Sequence, residues 1–141
     1  MKKIFAIIIS CMMIFGLASC GGGSTGSGNV DVDLTALSST MIYSEVSNMM
    51  TNPDDYIGKT VKMTGSMAAY YDEELDEYYE ACVIADATAC CQQGLEFQLK
   101  GDKKYPDDYP ELESEITVVG TFNTYEQGDY TYARLENAEL L

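Results

Sequence analysis

The 141 residues carry 23 acidic side chains against 8 basic ones, a formal charge of −15, with no histidine and no tryptophan. That balance removes the lysine and arginine surface on which nucleic-acid binding depends. Without histidine there is no Ser-His-Asp or Cys-His catalytic set and no imidazole metal ligand, while a hydrophobic share of 46% excludes an acidic disordered tail.

At the start of the chain, Lys2 and Lys3 precede an apolar run from Ile4 to Leu17. A bilayer crossing needs about 20 apolar residues, so the run reads as the core of a secretory signal peptide. It closes on Leu17-Ala18-Ser19-Cys20, which resembles the lipobox of bacterial lipoproteins. The resemblance implies cleavage before Cys20 and diacylation of its sulfur, often with acylation of the new amine. Each buried methylene contributes about 0.8 kcal/mol, so two or three acyl chains hold a domain on a membrane. Cleavage would remove two lysines and no acid, deepening the formal charge from −15 to −17. Gly21 to Asn29 is rich in Gly and Ser and reads as a flexible tether. The expected organisation is a signal peptide over 1–19, lipidated Cys20 with its tether over 20–38, and one domain over 39–141. Its place is the extracytoplasmic face of the cell membrane.

Within the domain, Ile42, Val46 and Met49 recur at helical spacing after Ser38 and Ser39, either of which can cap the start. Asn52-Pro53 ends that pattern, so a helix is expected over Ser39 to Thr51. Val61, Met63, Gly65 and Met67 then alternate with polar residues, the period of a half-buried strand. The glycine inside it signals a bulge or a tight bend. Paired tyrosines flank the acidic stretch Asp72 to Glu77, which predicts a hairpin with a solvated tip. A second strand is expected over Tyr78 to Ala85 and a third over Gly94 to Lys100. Gly101 to Glu115, with two prolines and many charges, reads as a loop with one helical turn at Tyr109 to Glu113. A fourth strand over Ile116 to Tyr125 turns at Glu126 to Asp129 into a fifth, starting at Tyr130.

One helix and five strands, with the longer connection between the third and fourth, match a small Greek-key barrel. The stretches Asn52 to Gly65 and Ile116 to Tyr125 also resemble the oligonucleotide-binding-type (OB) domains of exported bacterial lipoproteins, including the tRNA-anticodon-like group. Ala85 to Phe97 resembles paired-cysteine stretches in uncharacterised membrane-associated OB-like proteins. The fold this implies is mainly β, a five-stranded Greek-key OB-like barrel preceded by one N-terminal α-helix. No activity is carried with it, and the basic face of the nucleic-acid-binding members is missing here.

Cys82, Cys90 and Cys91 fall within ten residues, and three readings stand. In a cross-strand disulfide, Cys82 faces Cys91 if Ile84 faces Ala89, or Cys90 if the tip has three residues. Opposed residues lie about 4.5–5.5 Å apart at Cα, within disulfide reach. In a metal site, the three thiolates with Asp86 as fourth ligand suit zinc or copper. In the third, the cysteines pack as small apolar side chains. Thiolate catalysis lacks a base or a cationic neighbour, so no enzyme is expected. Tyr70, Tyr71, Tyr78 and Tyr79 form a candidate contact surface. The acidic tip lacks the glycine and ligand spacing of an EF-hand. The expected function is a membrane-anchored surface lipoprotein, non-enzymatic and without a required cofactor, whose domain binds an envelope protein or a small ligand. The alternative is a metal-handling lipoprotein that uses the cysteine cluster.

Overall fold

The computed structural model describes residues 29–141. The signal segment, Cys20 and the tether up to residue 28 lie outside the described residues. The fold is mainly β, a six-stranded mixed sheet with one α-helix: β1 (Val32–Asp33), α1 (Ser39–Thr51), β2 (Thr60–Asp72), β3 (Glu77–Ala85), β4 (Gln92–Leu99), β5 (Glu115–Gln127) and β6 (Tyr130–Leu140).

Two expectations are corrected at the start of the domain. The helix is not the first element among the described residues, and those residues form six strands, because Val32–Asp33 pairs in parallel with Val61 and Lys62. A 3-10 turn over Leu34–Ala36 follows, in which the Asp33 carboxylate accepts the Thr35 N–H at 3.0 Å. It drives Leu34 into the core, fully buried. Regular structure is thus present inside the stretch read as tether. A two-residue strand carries no periodicity, so its partner strand alone reveals it.

The helix occupies its expected range, with Ser38 in the extended conformation of an N-cap residue. Its buried positions are Val46 and Met49, with Ile42 and Tyr43 packed beside them. Asn52 breaks from helical geometry before Pro53, because the proline ring crowds the preceding residue out of the α region. The helix lies against β3 and β4, and the Gln93 side-chain amide donates to the Tyr43 carbonyl. No helix among the described residues is long and apolar enough to cross a membrane.

β2 organises the sheet. Its first half pairs with β5, from Thr60↔Thr121 to Ser66↔Glu115, and its second half with β3, from Ser66↔Val83 to Asp72↔Glu77. Strand to strand, the ladders run β2–β3–β4–β6–β5 and return to β2, with β4 and β6 parallel and the other four pairs antiparallel. Gly65 sits just before the handover at Ser66. A Cβ there would lie 2.5 Å from the Val83 carbonyl oxygen and 2.9 Å from Cys82 Sγ. The register passes Gly65 without a slip, so this glycine marks close approach of two strands, not a bulge. The core gathers Val61, Met63, Met67, Leu95, Phe97, Val118, Phe122 and Leu135 on one face of these strands, with no buried polar residue among those described. The Gly101–Ser114 loop is a succession of bends and turns and not a helical turn at Tyr109–Glu113, and its Tyr105 and Tyr109 pack against the core.

Candidate functional site

Two regions gather chemically capable side chains, one at each end of β3. At its start stand the expected tyrosines. The hairpin register sets Tyr70 opposite Tyr79 and Tyr71 opposite Tyr78. Because side chains alternate, the two pairs face opposite sides of the sheet. Tyr71 and Tyr78 follow the core phase, with ring centroids 4.8 Å apart. The stack continues to Tyr105 at 4.7 Å, then Tyr109 at 6.2 Å, and ends on buried Phe97 at 5.7 Å from Tyr109. Each such contact adds about 0.5–1.5 kcal/mol beyond area burial, less where the rings are exposed, as Tyr78 is.

On the opposite face, Tyr79 joins Tyr125 and Tyr132, whose rings stack at 5.5 Å and 22°. The Tyr125 hydroxyl donates to Glu96 Oε2 at 2.6 Å. Arg134, the one arginine of the chain, lies 4.6 Å from the centre of the Tyr125 ring and donates to Glu136 at 2.9 Å. Burial lifts Glu96 above the usual carboxylate range despite the Tyr125 hydrogen bond and Arg134. Glu80 is raised by burial and by the charge of Glu96. Burial and the Glu96 carboxylate push the Tyr125 hydroxyl up as well, so it stays a donor.

These groups line two adjoining hollows. The larger is a cleft of about 490 Å³ between the β2–β3 hairpin and the Gly101–Ser114 loop, lined by Tyr78, Tyr79, Glu80, Tyr105, Tyr109 and Arg134. The smaller, of about 190 Å³, includes Tyr70, Tyr125 and Tyr132 and shares Tyr79 and Glu96 with the first. Lys103 and Lys104 border the cleft too. Lys103 is paired with Asp108 at 3.2 Å, whereas Lys104 has no ion-pair partner among the described residues. The sequence pointed to the four hairpin tyrosines. It did not bring forward Tyr105, Tyr109, Tyr125, Tyr132, Glu96 or Arg134, which only the ladders of β4, β5 and β6 gather. The alternation Tyr130, Tyr132, Arg134 along β6 was the one legible hint.

At the other end of β3 the thiols separate. Ala85 pairs with Gln92, and Cys82 therefore faces Leu95, not Cys90 or Cys91. The expected tight tip is a six-residue turn, Asp86 to Cys91, and this displaces the proposed bridge. Cys82 is fully buried and points into the core, and burial pushes its thiol up to about 12. It is a packing residue. Cys90 and Cys91 are exposed, and all three are free thiols.

The turn is organised by Asp86. Its Oδ1 accepts the Thr88 N–H at 3.1 Å, the Thr88 hydroxyl at 3.0 Å and the Cys90 N–H at 3.0 Å. Ala89 takes φ of +56°, and the Asp86 N–H closes the turn on the Cys91 carbonyl at 3.0 Å. Partial desolvation alone would raise the Asp86 carboxyl, but the hydrogen bonds from Thr88, Cys90 and Cys91 outweigh it and hold it below its usual range. The Cys91 thiol is raised, first by its contact with Cys90 and then by the Asp86 charge. Of the four expected ligands, Asp86, Cys90 and Cys91 converge, with donor atoms within 4.8 Å of one another. Cys82 is not among them.

Compared with known protein-family models, curated proteins and solved structures, the chain matches none.

Proposed function

We propose that this chain is an exported lipoprotein, anchored through acylated Cys20 at the outer face of the cell membrane, and that it works by binding rather than by catalysis. The circuit of ladders through β2, β3, β4, β6 and β5, with its parallel β4–β6 pair, supports a small Greek-key OB-like barrel as its scaffold. The reading is carried by one observation: the cleft of about 490 Å³ that sets four tyrosines among charged side chains of both signs. Clefts of this size suit a small ligand or an inserted side chain, and tyrosine combines an apolar ring with a hydroxyl that both classes of ligand use. Arg134, Lys103 and Lys104 place positive charge beside the rings, and Asp76, Glu77, Glu80 and Glu96 set carboxyl groups among them. Such a wall suits a neutral or zwitterionic partner with polar edges, an exposed peptide segment of an envelope protein or a small ligand. The overall acidity opposes polyanions.

The test is capture from detergent-solubilised envelope, or from its small-molecule extract, by the full chain and by a Tyr79→Ala, Tyr105→Ala pair of variants. Specific retention by the parent chain that falls about tenfold or more in both variants, of the order expected for losing an aromatic anchor, supports the cleft. Equal retention by all three discards it. The anchor is tested separately, by fatty-acid labelling and intact mass of a Cys20→Ala chain, which must lose both acylation and cleavage before residue 20.

A further inference from the structure

We propose that the Asp86–Cys91 turn is a binding site for a tetrahedral divalent metal of the zinc class. Its protein ligands are Cys90 Sγ, Cys91 Sγ and Asp86 Oδ2, and its fourth position is open to solvent or to a partner's ligand. Two distances and one bound carry the inference. Cys90 Sγ and Cys91 Sγ are 3.5 Å apart, Cys90 Sγ lies 3.5 Å from Asp86 Oδ2, and all three donor atoms fall within 4.8 Å of one another. With Zn–S near 2.3 Å and Zn–O near 2.1 Å, tetrahedral angles require about 3.8 Å between two sulfurs and about 3.6 Å between sulfur and oxygen. The two separations from Cys90 Sγ already lie within a few tenths of an ångström of those values, and the Cys91–Asp86 separation stays within 4.8 Å. Two thiolates binding a metal linearly at that bond length would stand about 4.6 Å apart, so the geometry favours zinc over two-coordinate copper(I).

The surroundings give the site its rigidity. Asp86 Oδ1 holds the turn through Thr88 and the Cys90 N–H, and Oδ2 lies 3.5 Å from Cys90 Sγ while accepting the Thr88 hydroxyl at 3.1 Å. That hydroxyl and backbone support is the outer shell that orients a ligating carboxylate. The two sulfurs also persist as thiols. Adjacent Cα atoms are about 3.8 Å apart, below the usual disulfide span of about 4.4–6.8 Å, and Cys82 points away into the core. Each thiol must give up its proton to bind the metal, so loading releases acid and strengthens as pH rises. The site stands at the opposite end of β3 from the tyrosine cleft and is independent of the ligand bound there.

The experiment uses the full chain, reduced, anaerobic and in detergent, titrated with Co²⁺ and then with Zn²⁺. The expected result is one cobalt per chain, with sulfur-to-metal charge-transfer absorption in the near ultraviolet and the strong visible bands of tetrahedral cobalt, displaced by one equivalent of zinc. Cys90→Ser and Cys91→Ser should each weaken binding about a hundredfold or more, and Asp86→Asn, which keeps an oxygen for the turn, about tenfold. Cys82→Ala, checked for its fold by circular dichroism, should leave affinity unchanged. Absence of the thiolate band, binding that survives the Cys90→Ser, Cys91→Ser double variant, or binding that depends on Cys82 would each overturn the assignment.

Discussion

The two ends of β3 are built in different ways. At the tyrosine end, contacts that join separate elements hold the rings: Tyr78 rests on Tyr105, Phe97 on Tyr109, and Tyr125 on Glu96. At the cysteine end, almost every contact joins residues within one turn, from Asp86 to Thr88, Cys90 and Cys91. Cleft geometry is therefore tied to the stability of the whole sheet, whereas the cysteine turn is a local device that survives or fails by itself. Cys82 marks the border. It shares a residue type with Cys90 and Cys91, yet the core surrounds it and it belongs energetically to the sheet.

The sharpest way to probe that border is thiol reactivity. In native, reduced chain at about pH 8, Cys90 and Cys91 should react promptly with a thiol reagent. Cys82, buried and with its thiol pushed up to about 12, should react slower by a factor of about 10³ or more, and at the same rate only in denaturant. Three equally fast thiols in the native chain would dissolve the distinction between the regions.

Substitutions follow in order of expected effect. Phe97→Ala removes the buried ring beneath Tyr109 and should cost about 3–5 kcal/mol, measured by denaturant unfolding, while the cobalt spectrum of the still-folded chain stays intact. Gly94→Ala places a Cβ 2.5 Å from the Cys82 carbonyl oxygen, and the strain on the β3–β4 ladder should cost about 1–3 kcal/mol. Tyr125→Phe deletes the 2.6 Å hydrogen bond to Glu96 and should cost about 1 kcal/mol at this partly exposed site. It should also alter the cleft while leaving the turn untouched.

The smallest effect is a pH dependence. Glu80 and Glu96 titrate above the usual range in the fold, chiefly because burial disfavours their charge. The folded chain therefore holds those protons more tightly than the unfolded one. The stability they contribute is fully present below the ordinary glutamate pKa and is lost as pH rises through the raised values. Glu80→Gln removes part of that loss, so the variant should gain thermal stability over the parent at pH 7 and show no gain at pH 4. A gain of the same size at both pH values would mean that charge burial is not the cause.

Several elements were legible in the sequence because their signals are short in range. Helix spacing in Ile42, Val46 and Met49, alternation in Val61, Met63 and Met67, and acidic or glycine-bearing tips fixed α1, both hairpins and the long strands within a few residues. β1 was invisible, since two residues show no period and Val32 becomes a strand only where β2 offers it an edge. The thiol register failed for a related reason. The turn after Ala85 is longer than its sequence suggests, because Asp86 captures three donors and carries the chain around Ala89 before β4 starts at Gln92.

Charge, the want of histidine, the helix and the alternating strands were determined by the amino-acid sequence alone, since each is a property of neighbours along the chain. Tertiary structure alone decided which thiol is buried, which three groups converge, and which tyrosines share a cleft. Those outcomes depend on strand register, where a slip of one residue moves a side chain to the opposite face. Register is set jointly by turn geometry and by core packing across strands that the sequence keeps far apart.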